Sequence, residues 1–250
     1  MTDREFIKKG LPSIINNACD VGQWVGAFSC LKQIMDRWFI SHPKQEREFQ
    51  QLVVRENNSK GIGESTDYFI IDVEYDNHDR ARFDMVAIEW ESDKVLRKLP
   101  RKYRPKLCFI EMKYGDGALG GNAGIVKHIS DMQEYVSSRR LDSIKKEMTE
   151  LFMQKRELGL ISALVNNRNV LTSGQLADEV DYIFLLANHD PAKSALNEVL
   201  QEVDNRYSGR RLDFNIRFCC STFMGYGIYK ENVYSFQDFQ NLFYKQILCT

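Results

Sequence analysis

Apolar residues along this chain recur with two different periods, and the changes of period divide it into helices and strands. Across residues 4–40, Trp24, Phe28, Leu31, Ile34, Met35 and Trp38 fall three and four apart, as on one face of a helix. His42-Pro43 interrupts that pattern, and a second helix is expected over 44–55. Residues 57–63, Asn-Asn-Ser-Lys-Gly-Ile-Gly, have the composition of a loop. Three strand-like runs follow at 68–75, 81–90 and 107–114. The polar turn Asp76-Asn77-His78-Asp79 makes the first two an antiparallel hairpin. A glycine-rich loop over 115–124 leads into helices expected at 125–136 and 143–158. A strand at 181–187, a helix at 192–203 and strand sequence within 212–229 complete the order. This alternation predicts an α/β fold, a mixed sheet flanked by helices, with residues 1–43 as a helical extension and 44–250 as the core.

Two of the strands carry charge where burial should exclude it. Asp84 lies within Ala81-Arg82-Phe83-Asp84-Met85-Val86-Ala87-Ile88, and Glu111 and Lys113 lie within Leu107-Cys108-Phe109-Ile110-Glu111-Met112-Lys113-Tyr114. An unpaired buried carboxylate costs several kcal/mol or else takes up a proton. Side chains alternate along a strand, so Glu111 and Lys113 share a face and Met112 points to the other. Two carboxylates on one face can hold a divalent cation, and an ammonium beside them can steer an anion or a water. That combination suits phosphodiester hydrolysis.

An Asp on one core strand followed by Glu-x-Lys on the next resembles the PD-(D/E)xK nuclease superfamily, with its restriction-endonuclease-like fold. Asp84 matches the family Asp, although Phe83 stands where a proline is often found, and Glu111 and Lys113 match the E-x-K. The resemblance covers residues 46–136. It implies that Asp84, Glu111 and the Met112 carbonyl bind Mg²⁺ or Mn²⁺, with Lys113 beside the reacting phosphate. It also implies a first-helix glutamate near the metal. Glu46 borders the apolar stripe formed with Phe49 and Val53, and Glu46-Arg47-Glu48-Phe49-Gln50 is similar to the family context. Glu48 is the alternate, and a solvated acid favoured by the helix dipole is the bland reading of either. DNA as the substrate is implied by the resemblance alone.

Composition narrows the partners. The chain of 250 residues is 43% hydrophobic and 28% charged, an ordinary globular balance, and its net charge of −1 gives no global attraction to a polyanion. Affinity for nucleic acid would therefore have to be local. The run over 94–106 holds seven Lys and Arg residues and no acid, and Arg101, Lys102 and Arg104 within it are candidate phosphate contacts. Lys127 and His128 on the helix after the glycine loop are further candidates, with an Lys127–Asp131 helix pair as the plain alternative. No apolar run is long enough to span a bilayer, and Met1-Thr2-Asp3-Arg4-Glu5 lacks the apolar segment of a secretory signal. The six cysteines show no C-x-x-C spacing and read as reduced thiols of a cytoplasmic protein.

Two other readings compete. A fold of the same kind retained only to bind nucleic acid would carry the same strands. Gly115-Asp116-Gly117-Ala118-Leu119-Gly120 also satisfies G-x-G-x-x-G between a strand and a helix, as in a dinucleotide-binding oxidoreductase. Against the latter, the strand entering the loop carries Glu111 and Lys113. About 20 residues on, Arg139-Arg140-Leu141-Asp142 lies in helix-like sequence rather than at a strand end.

Overall fold

Asn17 sets where the first helix begins. Its side chain accepts from the Asp20 amide at 3.1 Å while the Asp20 carboxylate accepts from the Asn17 amide at 3.2 Å, so donors at the helix start are satisfied reciprocally. Helix α1 accordingly spans Ala18–Ser41 and does not begin near residue 4. The computed structural model describes residues 10–12, 14, 16–58, 66–76, 82–90, 104–161, 171–189, 195–221 and 225–248. Residues 4–9 of the expected helix lie outside them. After His42-Pro43, α2 spans Gln45–Asn58.

Helix α2 runs past its expected end because its last two residues are held by distant backbone. Asn57 donates to the Val53 and Tyr226 carbonyls at 2.8 and 3.0 Å and accepts from the Ile228 amide at 2.9 Å. Asn58 exchanges two hydrogen bonds with Ile70, at 2.7 and 2.9 Å, much as a neighbouring peptide would on a sheet edge. The loop reading therefore fails for Asn57 and Asn58, and 59–63 lie outside the described residues.

The described strands make one six-stranded sheet in chain order: β1 Tyr68–Asp76, β2 Arg82–Glu89, β3 Leu107–Tyr114, β4 Val180–Ala187, β5 Asn215–Ser221 and β6 Tyr234–Ser235. β1, β2 and β3 are antiparallel, β3, β4 and β5 are parallel, and β6 returns antiparallel. The mixed α/β sheet is as expected. Parallel neighbours need helical crossovers. α3 (Ile125–Ser137) and α4 (Leu141–Glu157) supply the first, and α5 (Leu196–Tyr207) the second. Among the described residues, the strand sequence expected within 212–229 yields β5. β6 and a last helix, α6 (Phe236–Leu248), were not signalled, since two residues are too short a run to show a period.

Both sheet faces are covered. α3, α4, α5 and α6 pack on one face through Ile129, Met148, Leu200 and Phe239. α2 packs on the other, where Val53 meets Ile70, Ile110 and Met112. β3 and β4 are buried over almost their whole length. A bulge in β1 between Ile70 and Asp72 frees a carbonyl, and Lys155 of α4 donates to it at Ile71.

Asn57→Ala removes three hydrogen bonds and strands buried backbone groups on two segments. We expect a loss of about 2–3 kcal/mol in unfolding free energy, read by urea denaturation. A loss below about 0.5 kcal/mol would mean that α2 is held on the sheet by its apolar face alone.

Candidate active site

The ladder between β2 and β3 extends to Met85 opposite Ile110, and Asp84 and Glu111 are the next residues on the two strands. There the Asp84 carboxylate accepts from the Met112 amide at 2.7 Å, where a continuing ladder would have used a backbone carbonyl. The amide and carbonyl of one strand residue project to the same side. The Met112 carbonyl therefore also faces the Asp84 side of β3.

A break in the pleat turns Asp84 towards β3. Phe83 and Met85 should share a face, yet Phe83 packs with the α3–α6 side and Met85 with the α2 side. On β1, Val73 pairs with Met85 and Tyr75 with Phe83, and the residue between them, Glu74, has φ +56°. A non-glycine residue held in that region costs on the order of 1 kcal/mol or more. Arg47, in the first turn of α2, pairs with Glu74 at 2.9 Å and ties the helix to the distorted strand.

Glu111 and Lys113 share the face covered by α3. Their side chains are 7% and 4% exposed, and Lys113 Nζ lies 2.8 Å from Glu111 Oε1. His128 of α3 brings Nε2 to 3.1 Å from the same oxygen. Burial, then the Lys113 charge, push the His128 imidazole down to about 4, so at neutral pH it meets Glu111 as a neutral hydrogen-bonding group. Burial, then the charge of Glu111, push the Asp84 carboxyl up to about 8 against the opposing effect of the Met112 amide. Glu111 is also raised, by burial, with Lys113 opposing.

Glu46 is exposed in the first turn of α2, and its charge contributes to raising both Asp84 and Glu111. Glu48 accepts from the Lys44 amide at 3.3 Å and serves the helix start instead. Among the described residues, no group of three His, Cys, Asp or Glu side chains is gathered closely enough to hold an ion. The Glu111 charge acts on Asp84 more strongly than that of Glu46.

Two residues near the site were given no role of their own from sequence, although Gln50 closes the Glu46–Gln50 segment similar to the family context. Glu74 contributes to raising Glu111, and nothing in its strand context distinguishes it. Gln50, one turn after Glu46, is fully buried, and neither atom of its amide has a hydrogen-bond partner. The signal for Gln50 was a polar residue set between Phe49 and Val53 on a sheet-facing stripe.

The basic candidates are less gathered. Arg101 and Lys102 lie outside the described residues. Arg104 reaches both oxygens of Asp178, at 3.2 and 3.3 Å, and donates to the Leu176 carbonyl at 2.6 Å. Lys106 lies 3.5 Å from Asp181. The acids came from β4 and the segment before it, which the local sequence did not show. Lys127 pairs with Asp131 on the exposed side of α3, while His128 faces Glu111.

The glycine loop folds into two 3-10 turns, Asp116–Ala118 and Gly121–Ala123. Gly115 has φ +66°, and a Cβ on Gly124 would lie 2.5 Å from Gly120 backbone, so the loop's own path explains both glycines. Asp116 lies 3.1 Å from His189 Nδ1 and accepts from the Ala195 amide before α5 at 3.0 Å. A carboxylate set between the glycines opposes a pyrophosphate there.

Among the described residues, no helix is long and apolar enough to cross a membrane. Compared with protein-family models, with curated proteins and with solved structures, the chain matches none.

A carboxyl raised on folding binds its proton more tightly in the native state, so its contribution to stability is complete below the unfolded value near 4. That contribution is lost as pH rises through the folded value of about 8. Asp84→Asn keeps an oxygen for the Met112 amide and removes the titration. Without divalent metal, the variant should gain stability relative to wild type between pH 4 and pH 8. Thermal melts across that range that show a constant difference would remove the linkage.

Proposed function

We propose that this chain is a metal-dependent nuclease of restriction-endonuclease-like fold that hydrolyses phosphodiester bonds, with DNA as substrate. The observation that carries the reading is Asp84 seated on the Met112 amide at the open end of the β2–β3 ladder, beside the buried Glu111–Lys113 pair.

The residues present fit a hard divalent cation. Two carboxylates pushed towards protonation by burial, and a backbone carbonyl facing the same side, offer the oxygen donors that Mg²⁺ or Mn²⁺ takes. Asp84, Glu111 and the Met112 carbonyl would hold the ion. Once bound, it would neutralise charge on the phosphate and acidify a coordinated water. Lys113 places a cation on the Glu111 face, where it stabilises negative charge developing on the phosphoryl oxygens. His128 and Lys113 together fix the rotamer of Glu111, and Glu46 adds negative potential that favours cation entry.

A binding-only protein of the same fold is favoured by one observation: Glu111 is already engaged by Lys113 and His128, a cluster satisfied without metal. Cleavage separates the two. Plasmid, single-stranded DNA and RNA are incubated with Mg²⁺ or Mn²⁺, and DNA is the expected substrate. Asp84→Asn, Glu111→Gln and Lys113→Ala should each slow cleavage by at least about 100-fold with the fold intact by circular dichroism. Nucleic-acid binding without cleavage under every condition would select the binding-only reading. Absence of both would end the proposal.

A further inference from the structure

Helix α2 buries two amide side chains, and the fold treats them in opposite ways. Asn57 makes three hydrogen bonds, to the Val53 and Tyr226 carbonyls and from the Ile228 amide. Gln50 is 0% exposed, and among the described residues neither its oxygen nor its nitrogen has a hydrogen-bond partner. A carboxamide offers one acceptor and two donors, and leaving them unmatched in a core destabilises the fold. A methionine of similar size would fill the same space without that loss. We propose that Gln50 is a positioning residue of the candidate site, whose carboxamide holds a water bound to the cation that Asp84 and Glu111 would ligate. The proposal rests on the metal-dependent reading of that site.

Placement along α2 carries the assignment. Glu46, Gln50, Val53 and Asn57 stand at i, i+4, i+7 and i+11, one stripe that is exposed at Glu46 and buried from Gln50 onwards. At the exposed end, the charge of Glu46 acts on both Asp84 and Glu111. Gln50 lies one turn further in, roughly 6 Å along the axis. Its neighbour Phe49 sets its ring 5.0 Å from that of Tyr114, the residue after Lys113. Val53, the next residue of the stripe, belongs with Ile110 and Met112 to the apolar cluster on this face. Gln50 is therefore enclosed between α2 and the part of β3 whose Met112 amide holds Asp84.

Burial also limits what the amide can meet. A nucleotide does not reach a side chain fully covered by α2 and the sheet, whereas a single water does. Water on a divalent cation is a polarised donor with two protons to place, and the Gln50 oxygen accepts one of them. The Gln50 nitrogen donates to a carboxylate of the fork, where burial has already raised Asp84 and Glu111 by withholding solvent. A neutral amide does both without adding charge to a field set by Glu46, Glu74, Asp84 and Glu111. Residues that orient metal ligands from outside the coordination shell typically change metal affinity by about 10- to 100-fold.

The test compares the full chain with Gln50→Met by isothermal titration with Mn²⁺ and by thermal melts without metal. Gln50→Met should raise the metal-free melting temperature by about 2–4 °C, because an unmatched amide leaves the core. The same variant should bind Mn²⁺ about tenfold more weakly. Gained stability together with lost metal affinity is a pair that a purely structural glutamine does not give. Gln50→Glu keeps an oxygen at the same reach, so it should retain Mn²⁺ affinity while losing metal-free stability to a buried carboxylate. A lowered melting temperature or loss of folding in Gln50→Met overturns the inference, as does loss of Mn²⁺ affinity in Gln50→Glu. So does an Mn²⁺ affinity for Gln50→Met within about twofold of wild type, the result that an ordinary internal water on Gln50 would give. Each of these leaves the nuclease reading standing. Absence of Mn²⁺ uptake by the wild-type chain instead removes the metal site itself, and this inference with it.

Discussion

The 2.8 Å contact between Lys113 and Glu111 lies on a strand that is covered on both sheet faces, and much of the surrounding structure makes those two charges tolerable there. Leaving either group unpaired at that depth would cost several kcal/mol, so the ammonium and carboxylate must meet. Alternation on β3 puts them on one face, and α3 brings His128 to the same carboxylate oxygen. The loop that delivers α3 is in turn constrained. It leaves β3 through Gly115 at positive φ and closes where Gly124 passes Gly120 too tightly for any Cβ. The chemistry on β3 and the glycines after it are thus parts of one local solution.

Asp84 depends on a second constraint, on the neighbouring strand β1. Its carboxylate reaches the Met112 amide because the pleat reverses between Phe83 and Met85. That reversal is shared with β1, where Glu74 takes a left-handed conformation and is held by Arg47 of α2. α2 is fixed by Val53 in the core and by Asn57 and Asn58 at its far end. Strain in β1 and the anchoring of α2 therefore combine to aim one carboxylate. Such coupling is common where a site stores strain.

Charge outside the site follows a different logic. Arg104 and Lys106 belong to a run with no acid in it, yet Asp178 and Asp181 meet them from the segment before β4 and from β4 itself. A basic run in sequence is thus not by itself a basic surface. Fields at a surface sum over everything that folding brings within a Debye length.

The sequence alone determined the α/β order, the bounds of β3, and which strand residues carried charge against their surroundings, because local period and burial preference are written residue by residue. It also determined that Glu111 and Lys113 share a face, which follows from alternation without tertiary information. Tertiary structure decided the rest. The extension of α2 to Asn58 rests on hydrogen bonds to Ile70, Tyr226 and Ile228, far along the chain. The short β6 exists because β5 offers it an edge. The turn of Asp84, the arrival of His128 at Glu111, and the isolation of Gln50 are likewise pairings between distant segments. No local pattern encodes them, since each depends on the relative placement of elements that only the packed sheet and helices define.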